Sequence, residues 1–482
     1  MNKRRLCLLL ALAICACALA GCAQSEEAPA RPAYEPVENW ETLPSGRKVT
    51  APLNFLSLDG KRLAVEMREV TVESGHMVAE AVLQAFLDGP ESEDLKKILR
   101  NIELVSVEVS GRVANVELST QFAGYDAGEM LTARAALANT LCDLLDIDYV
   151  NVYVDGKDPG YEGKPLGAIK KVEVNLSLYL DQIRQEMNQI DTDDSYTEQR
   201  VITLYLPDPS GKYLTATAKE AQIRLRQMDD GYDRDYISTV LYELFQSAPE
   251  LFVGTTISGA PMAVLDGAGG KIIALALTEE PENPYLAYGA IVTSLMGFVP
   301  ECNGVRVSLY NGQETVLVQS AGGVEFENGL MRRSDFSGLI GNNIRLCLPR
   351  PEGSDLVTVS RTVPQDEAEN PVRILRELMK AEPEEGLVNP FPEGTEEAEL
   401  LDAKLCGKTA VLDFSASFAE LCASMTAAEQ YALVYAIVNT MTEIHGISRV
   451  QFLREGESFG RLGQLDLSGP ILRNPGLNAP SN

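Results

Sequence analysis

The residue types that carry most enzyme chemistry are scarce in this 482-residue chain. It has two histidines: His76 precedes a helical pattern, and His445 stands beside Gly446, where a helix is expected to end. Neither belongs to a recognisable nucleophile signature, so a Ser-His-Asp or Cys-His arrangement is not indicated. The sequence also lacks clustered His and Cys metal ligands and a P-loop. We therefore expect no enzyme activity, no metal ion and no cofactor.

Among the side chains that could take part in catalysis, only the acidic ones are abundant. The chain has 70 Asp and Glu against 41 Lys and Arg, and its formal net charge is −29. A carboxylate pair could support glycoside hydrolysis, but among so many acids the sequence cannot select two. Such a negative surface repels nucleic acid and anionic lipid head groups, so nucleic acid is not expected as a partner.

Cysteine provides one chemical site, at the N-terminus. Basic residues at 3–5 and an apolar stretch over 6–20 precede Leu19-Ala20-Gly21-Cys22. This order is typical of a secretory signal, and the last four residues resemble the lipobox of bacterial lipoproteins. We predict a signal peptide at 1–21, a lipid on Cys22 and attachment to the extracytoplasmic face of the cell membrane. Residues 22–50, rich in Glu and Pro, are predicted to form a flexible tether.

The other cysteines show no metal or redox spacing. Of the nine, three lie in the predicted signal peptide and one is Cys22; the remaining five are odd in number and have no C-x-x-C spacing. Several stand in apolar patterns, which indicates small buried core residues, although one disulfide stays possible. These five are Cys142, Cys302, Cys347, Cys406 and Cys422.

The remainder of the chain contains one pattern three times. In the first copy, a strand at 53–56 precedes a helix that ends at Leu87-Asp88-Gly89-Pro90. Two alternating runs separated by Ser110-Gly111 predict a hairpin, and a second helix over 130–144 contains Asn139-Thr140-Leu141. The copy closes with a strand that ends at Val154-Asp155-Gly156.

The third copy repeats this order closely, and the middle copy keeps less of it. Residues 407–415 match 111–119 without a gap, and Asn439-Thr440 recurs 300 positions after Asn139-Thr140. The middle copy has Thr293-Ser294 at that place. The pattern predicts an α+β fold of three tandem small modules, each a mostly antiparallel sheet with two helices on one face. The predicted ranges are 51–160, 201–313 (degenerate) and 343–457 for the modules, 161–200 and 314–342 for the connectors, and 458–482 for the C-terminal tail.

This order of elements, with the Gly-Pro helix end, the Asn-Thr-Leu helix and the Val-Asp-Gly strand end, resembles the GerMN domain. That domain occurs in lipoproteins of bacterial spore formation and germination. The resemblance implies a non-catalytic protein that acts by protein-protein interaction or assembly, since related domains share a ring-building type of fold. The alternative is a general envelope lipoprotein that binds a cell-wall ligand or modulates a sensor.

The motif residues are predicted to be structural. A buried Asn within a helix needs a hydrogen-bond partner, so Asn139 and Asn439 should bond a neighbouring backbone group. Asp155 is the one acid that the family pattern singles out, and a turn-forming role explains it best. The full set of predicted structural residues is Gly89, Pro90, Asn139, Thr140, Asp155, Gly156, Asn439 and Thr440.

Overall fold

The computed structural model describes residues 45–161, 163–173, 175–187, 195–226, 233–266, 270–351, 355–382 and 386–478. The predicted signal peptide, Cys22 and residues 23–44 of the predicted tether lie outside these ranges. The described chain is α+β, as predicted, and one order of elements occurs three times along it. Within it, we find no helix long and apolar enough to cross a membrane.

The first repeat (46–170) opens with a long hairpin of two strands. The sequence had predicted a single short strand there, at 53–56. Its first strand begins at Gly46, inside the range predicted for the tether, because Arg47 and Val49 are buried while Lys48 and Thr50 face solvent. The elements are β1 (Gly46–Ser57), β2 (Leu63–Glu73), α1 (Val78–Asp88), β3 (Leu95–Lys96), β4 (Leu104–Ser110), β5 (Val113–Leu118), α2 (Ala127–Cys142), β6 (Tyr149–Val154) and β7 (Ile169–Lys170).

The second repeat (195–340) follows the helix α3 (Leu176–Met187) and again opens with a long hairpin. This hairpin starts within the range predicted as a connector, and short strands continue beyond the predicted end of the module. The elements are β8 (Ser195–Pro207), β9 (Leu214–Arg226), α4 (Asp233–Ser247), β10 (Met262–Leu265), β11 (Lys271–Leu277), α5 (Pro284–Met296), β12 (Cys302–Tyr310), β13 (Thr315–Leu317), β14 (Ser320–Ala321) and β15 (Val324–Glu325).

The third repeat (341–478) has one more helix than the first. Ser415 accepts a hydrogen bond from the Phe418 amide and so caps this extra helix, α7. The elements are β16 (Gly341–Pro349), β17 (Leu356–Pro364), α6 (Pro371–Met379), β18 (Leu400–Gly407), β19 (Thr409–Phe414), α7 (Ala416–Ala423), α8 (Ala427–Met441), β20 (Arg449–Arg454), β21 (Glu457–Ser458), β22 (Arg461–Leu462), β23 (Leu465–Asp466) and β24 (Ile471–Leu472).

Each repeat contains the same three-stranded unit, β4-β5-β6, β10-β11-β12 and β18-β19-β20. The first two strands form an antiparallel hairpin, and the third pairs in parallel with the second. A parallel neighbour requires a crossover, which α2, α5 and α8 supply. The inner face of each sheet packs on helices in an apolar core, and the opposite face is called the outer face below.

The repeats are joined through strands. At the edge of the third repeat, β1 pairs in parallel with β18, Gly46 opposite Cys406. The hairpin β8-β9 of the second repeat lies on the outer face of the first, where Val113 of β5 belongs to the core of the second repeat. The Ser110 hydroxyl connects all three repeats: it donates to the Gly341 carbonyl at 2.6 Å and accepts from the Ala216 amide at 3.0 Å.

Candidate functional site

The hydroxyl of the Asn-Thr motif holds the crossover helix to the opening strand of its repeat. Thr140 Oγ1 accepts from the Asn54 amide at 3.0 Å, and Thr440 Oγ1 accepts from the Cys347 amide at 2.9 Å. In the second repeat, Ser294 Oγ accepts the equivalent bond at 3.0 Å. The departure from Asn-Thr in the middle copy therefore preserves the hydroxyl at this position.

The asparagine of the motif holds the chain that follows each repeat. Asn139 Nδ2 donates to the Val172 carbonyl at 3.1 Å, and its Oδ1 accepts from the Val172 amide at 2.8 Å. Asn439 makes the same pair of bonds with the backbone of Asn474, at 3.0 and 3.1 Å. Both asparagines are buried, and their backbone partners lie 33 and 35 residues further along the chain.

The glycine and Asp-Gly motifs lie at chain reversals. Gly89 ends α1 with φ 100°, a conformation that favours glycine. Asp155 has φ 51°, and the amide of Gly156 donates to Glu117 Oε1 at 2.8 Å. Asp155 thus lies in a tight turn that a neighbouring carboxylate caps, which agrees with the structural interpretation. Pro90 is half-buried directly after the helix end.

A buried polar network on the outer face of the first repeat was not foreseen from the sequence. Asn151 Nδ2 donates to Asn115 Oδ1 at 2.8 Å and to Thr203 Oγ1 of the second repeat at 2.9 Å. Asn115 Nδ2 donates to Tyr205 Oη at 2.7 Å. The signal that could have revealed it is an Asn in each of two neighbouring strands, where apolar residues are usual.

A partly buried ion pair completes this network. Arg333 Nη2 donates to Glu108 Oε1 at 2.7 Å, and the guanidinium lies 4.9 Å from the ring centroid of Tyr205 and 5.4 Å from that of Tyr153. Burial raises the pKa of the Tyr205 hydroxyl, so it stays protonated and donates to Glu108 at 2.9 Å. Because these groups come from three separate stretches of chain, the network fixes how the first two repeats meet.

The outer face of the second repeat is open, in contrast to that of the first. The register places Met262 opposite Ala274, and Val264 opposite Ile272. Met262 and Val264 are each 51% exposed. The strand that carries them, β10, is the edge of its sheet, and an edge strand offers unpaired backbone groups to another chain.

The same edge is apolar on its inner side. Leu265 is 78% exposed, and Tyr242 of α4 is 63% exposed. Between α4 and the edge lies a groove of about 340 Å³ whose lining includes Leu241, Phe245 and Ile257. We call Tyr242, Met262, Val264 and Leu265 the β10 surface. Exposed apolar residues gathered at one sheet edge are typical of a protein-binding surface.

A second concavity, of about 740 Å³, separates the first and third repeats. Its lining includes Arg345, which forms ion pairs with both Asp146 and Glu443. His445 lies there too, and burial lowers the pKa of its imidazole. The described lining residues include no Phe, Tyr or Trp, the side chains expected to stack on a sugar ring. The other histidine, His76, is exposed and contacts Glu80.

The described cysteines and acids form no recognised reactive centre. The five cysteines outside the N-terminal region carry free thiols; Cys302, Cys347 and Cys422 are buried, and Cys142 and Cys406 are partly buried. Among the described residues, no group of three or more His, Cys, Asp and Glu could hold a metal ion.

Two segments of the chain match one family model. The model, Germane, is described by sporulation and spore germination, and it matches residues 52–159 and 345–459. These two segments of the chain are GerMN-type domains. The matches cover most of the first and third repeats, whereas the second repeat lies between them. The family description names a developmental process and no reaction.

Solved structures give further likenesses to GerMN domains. The tandem GerMN domains of the sporulation protein GerM from Bacillus subtilis are 12% identical, covering 89% of this chain and 100% of that one, with a TM-score of 0.24. The first GerMN domain of that protein is 16% identical over 22% of this chain and 84% of that one, with a TM-score of 0.19.

A candidate lipoprotein from Clostridium perfringens is also similar. It is 19% identical over 23% of this chain and 76% of that one, with a TM-score of 0.16. No curated protein matches the chain.

Proposed function

We propose that this protein is a lipid-anchored, non-catalytic component of the bacterial envelope that acts in spore formation or germination by docking onto other envelope or spore-assembly proteins. The observation that carries the docking is the β10 surface, with Leu265 78% and Tyr242 63% exposed at an open sheet edge. The process comes from the family description.

The first repeat supplies an internal precedent for this surface. There the outer face of the same three-stranded unit is an interface, which a hairpin from the next repeat covers. In the third repeat, the edge strand β18 accepts another strand, β1. Within this fold, outer faces and edge strands are therefore used for docking. The second repeat presents both an exposed face and an edge strand, with apolar residues on each.

The side chains of this surface favour a protein partner over a small ligand. The groove beside α4, of about 340 Å³, lies at the lower end of the range of about 300–1,000 Å³ for pockets that enclose ligands. Arg306, opposite Ala274 on the outer face, is half-buried and adds a positive charge there. A backbone carbonyl or carboxylate of a docked chain could contact its guanidinium.

The genetic test begins with deletion of the gene in its native host and a count of heat-resistant, germination-competent spores. The wild-type gene should restore a defect, and Leu265→Glu should not, because a charge at the centre of an apolar interface is costly to bury. Leu401→Glu is the matched control: Leu401 is 51% exposed on β18, away from the β10 surface. Normal spores in the deletion strain would contradict the spore role and favour a general envelope lipoprotein.

The anchor and the partner are tested separately. Cys22→Ala should release the protein from the membrane fraction, because the predicted lipid would then be lost. A photo-cross-linking residue at position 242 should capture a protein partner in sporulating cells. The same residue at position 105, where Val105 is 62% exposed on β4, should capture less. Equal capture at both positions would contradict docking through the β10 surface.

A further inference from the structure

In two of the three repeats, the first strand of the three-stranded unit meets the beginning of a strand from another repeat. In the third repeat, the start of β1 pairs in parallel with β18 at Cys406 and Gly407. In the first repeat, Ser110 at the end of β4 donates to the carbonyl of Gly341, which begins β16. The end of this strand is therefore a docking position in both repeats.

The equivalent position in the second repeat is exposed. In β18, the docking position begins two residues after Lys404, which lies opposite Val411. In β10, Met262 lies opposite Ala274, the equivalent residue of β11, so the docking position is 264–265. Both residues are exposed, and no described strand pairs with β10 on this side, since β10 is the edge of its sheet.

The backbone of β10 is oriented to accept a strand there. The Asp266 amide donates to the Gly270 carbonyl at 3.0 Å, so this pair is hydrogen-bonded within the hairpin. Hydrogen-bonded pairs alternate along an antiparallel ladder, so Val264 also turns its N–H and C=O toward β11. Ala263 and Leu265 therefore point theirs away from the sheet, where a further strand would pair.

We propose that β10 accepts a parallel strand from another protein at Val264 and Leu265, as β18 accepts β1. This inference rests on the proposed docking through the β10 surface and defines the form of the partner. Apolar side chains flank the edge on both sides, with Met262 and Val264 on the outer face and Tyr242 and Leu265 on the inner one. The partner strand should therefore be apolar on both of its faces and uncharged where it pairs.

The opening strands of this chain are already engaged, which points to a different protein as the source. β1 pairs with β18, and β16 begins at the residue that Ser110 contacts. In β8, the Val201 carbonyl accepts from the Ala168 amide of the preceding repeat at 3.0 Å. A second copy of the chain would have to give up one of these contacts to supply the strand.

Proline substitution separates strand pairing from docking by side chains alone. The probe is a photo-cross-linking residue at position 242 of the full-length chain, in intact cells of the native host. Ala263→Pro removes an outward N–H and places a ring where the partner strand would lie, so capture should fall about fivefold or more. The matched control, Ala263→Ser, keeps the N–H and should leave capture unchanged. An edge strand tolerates proline where the N–H faces solvent, so the variant should fold.

Three results would overturn the inference. Unchanged capture in Ala263→Pro would exclude strand pairing and leave docking through the β10 surface intact, whereas no capture by the wild-type chain would exclude both. Capture of a second copy would show that the strand comes from this chain. Thermal unfolding must show that Ala263→Pro is folded. If it is not, Leu265→Pro replaces it, with Leu265→Ala as its control, because the Leu265 N–H also points outward.

Discussion

The outer faces of the first and third repeats share a backbone and a strand order but differ in chemistry. The corresponding central rows are Glu108, Asn115 and Asn151 in the first repeat and Lys404, Val411 and Gln451 in the third. The first face binds the hairpin of the second repeat through a polar network. The third is apolar at its centre and carries basic residues on either side.

This difference shows which residues belong to the framework and which select a neighbour. The hydroxyl that holds the opening strand and the Asn that holds the following chain occur in both repeats with equivalent bonds. These bonds lie within a repeat or join it to the chain directly after it. The side chains that differ lie between repeats, so divergence on the outer face gives each module a different docking partner without changing its fold.

The largest expected effect is the loss of the ion pair on the first face. Arg333→Ala should lower the free energy of unfolding by at most about 3–5 kcal/mol, the range for a fully buried pair, because it leaves the partly buried Glu108 carboxylate without its cation. Urea denaturation measures the change. The exposed neighbour Arg332→Ala should cost less than about 0.5 kcal/mol. Equal effects of the two variants would contradict a buried pair that fixes this interface.

The framework asparagines should behave alike in the two repeats. Asn139→Ala and Asn439→Ala should each cost about 1–3 kcal/mol, because each leaves a backbone amide and carbonyl without a partner. The cost should be larger for Asn439, which also donates to Asn478 Oδ1 at 2.8 Å. Thermal unfolding measures both, with Gln84→Ala on the exposed side of α1 as the control. A negligible cost at either site would show that the motif is not a framework element.

The carboxylate that caps the first turn should make stability depend on pH. Burial raises the pKa of Glu117 above its usual value near 4.5, and the Gly156 amide offsets this only in part. A carboxyl group with a raised pKa in the folded chain favours folding at low pH, and this contribution is lost as pH rises through the folded pKa.

Replacement by Gln separates this contribution from the rest of the protein. Relative to wild type, Glu117→Gln should gain stability as pH rises from acidic to neutral, as measured by urea denaturation across that range. A difference between the two proteins that does not change with pH would refute this assignment. The corresponding change in the third repeat, Asp413→Asn, provides the comparison, since Asp413 Oδ1 accepts from the Gly456 amide at 2.9 Å.

The smallest expected effect is a gain, and not a loss, in the free energy of unfolding. Asp155 and Glu455 both have φ 51°, a left-handed conformation that costs most side chains about 1–2 kcal/mol. Glycine should therefore stabilise both turns slightly, more at Glu455 because Asp tolerates this conformation better than Glu. Thermal unfolding measures the shift. If Asp155→Gly abolished function in the spore assay while the chain stayed folded, the turn-forming role of Asp155 would be insufficient.

Sequence reasoning located the helices well and the opening strands poorly. The helix predicted to end at 87–90 corresponds to α1, and the helix predicted over 130–144 corresponds to α2, because amphipathic spacing is a local signal. The second strand of the opening hairpin of the first repeat, β2, was not predicted. Its Val65 and Met67 are exposed, so apolar and polar residues do not alternate there with the faces of the strand. The parallel pairing of β5 with β6 follows from the crossover helix between them, and no residue pattern within either strand indicates it.

The same limit applies to the candidate site. The structural motif residues were recognisable because they recur at fixed spacing, and the structure gives them bonds within their own repeat. No repeated spacing distinguishes the residues of the β10 surface. In the sequence, Met262, Val264 and Leu265 form an apolar run that is equally typical of a buried strand. Only the sheet order shows that this strand is an edge.

By itself, the sequence determined the α+β repeat pattern and the resemblance to GerMN domains. Those properties depend on residues close together in the chain or at a fixed period. Only the tertiary structure decided which faces are covered and which are open. Glu108 and Arg333 are 225 residues apart, and no local pattern reports a contact that forms when two separately folded repeats meet.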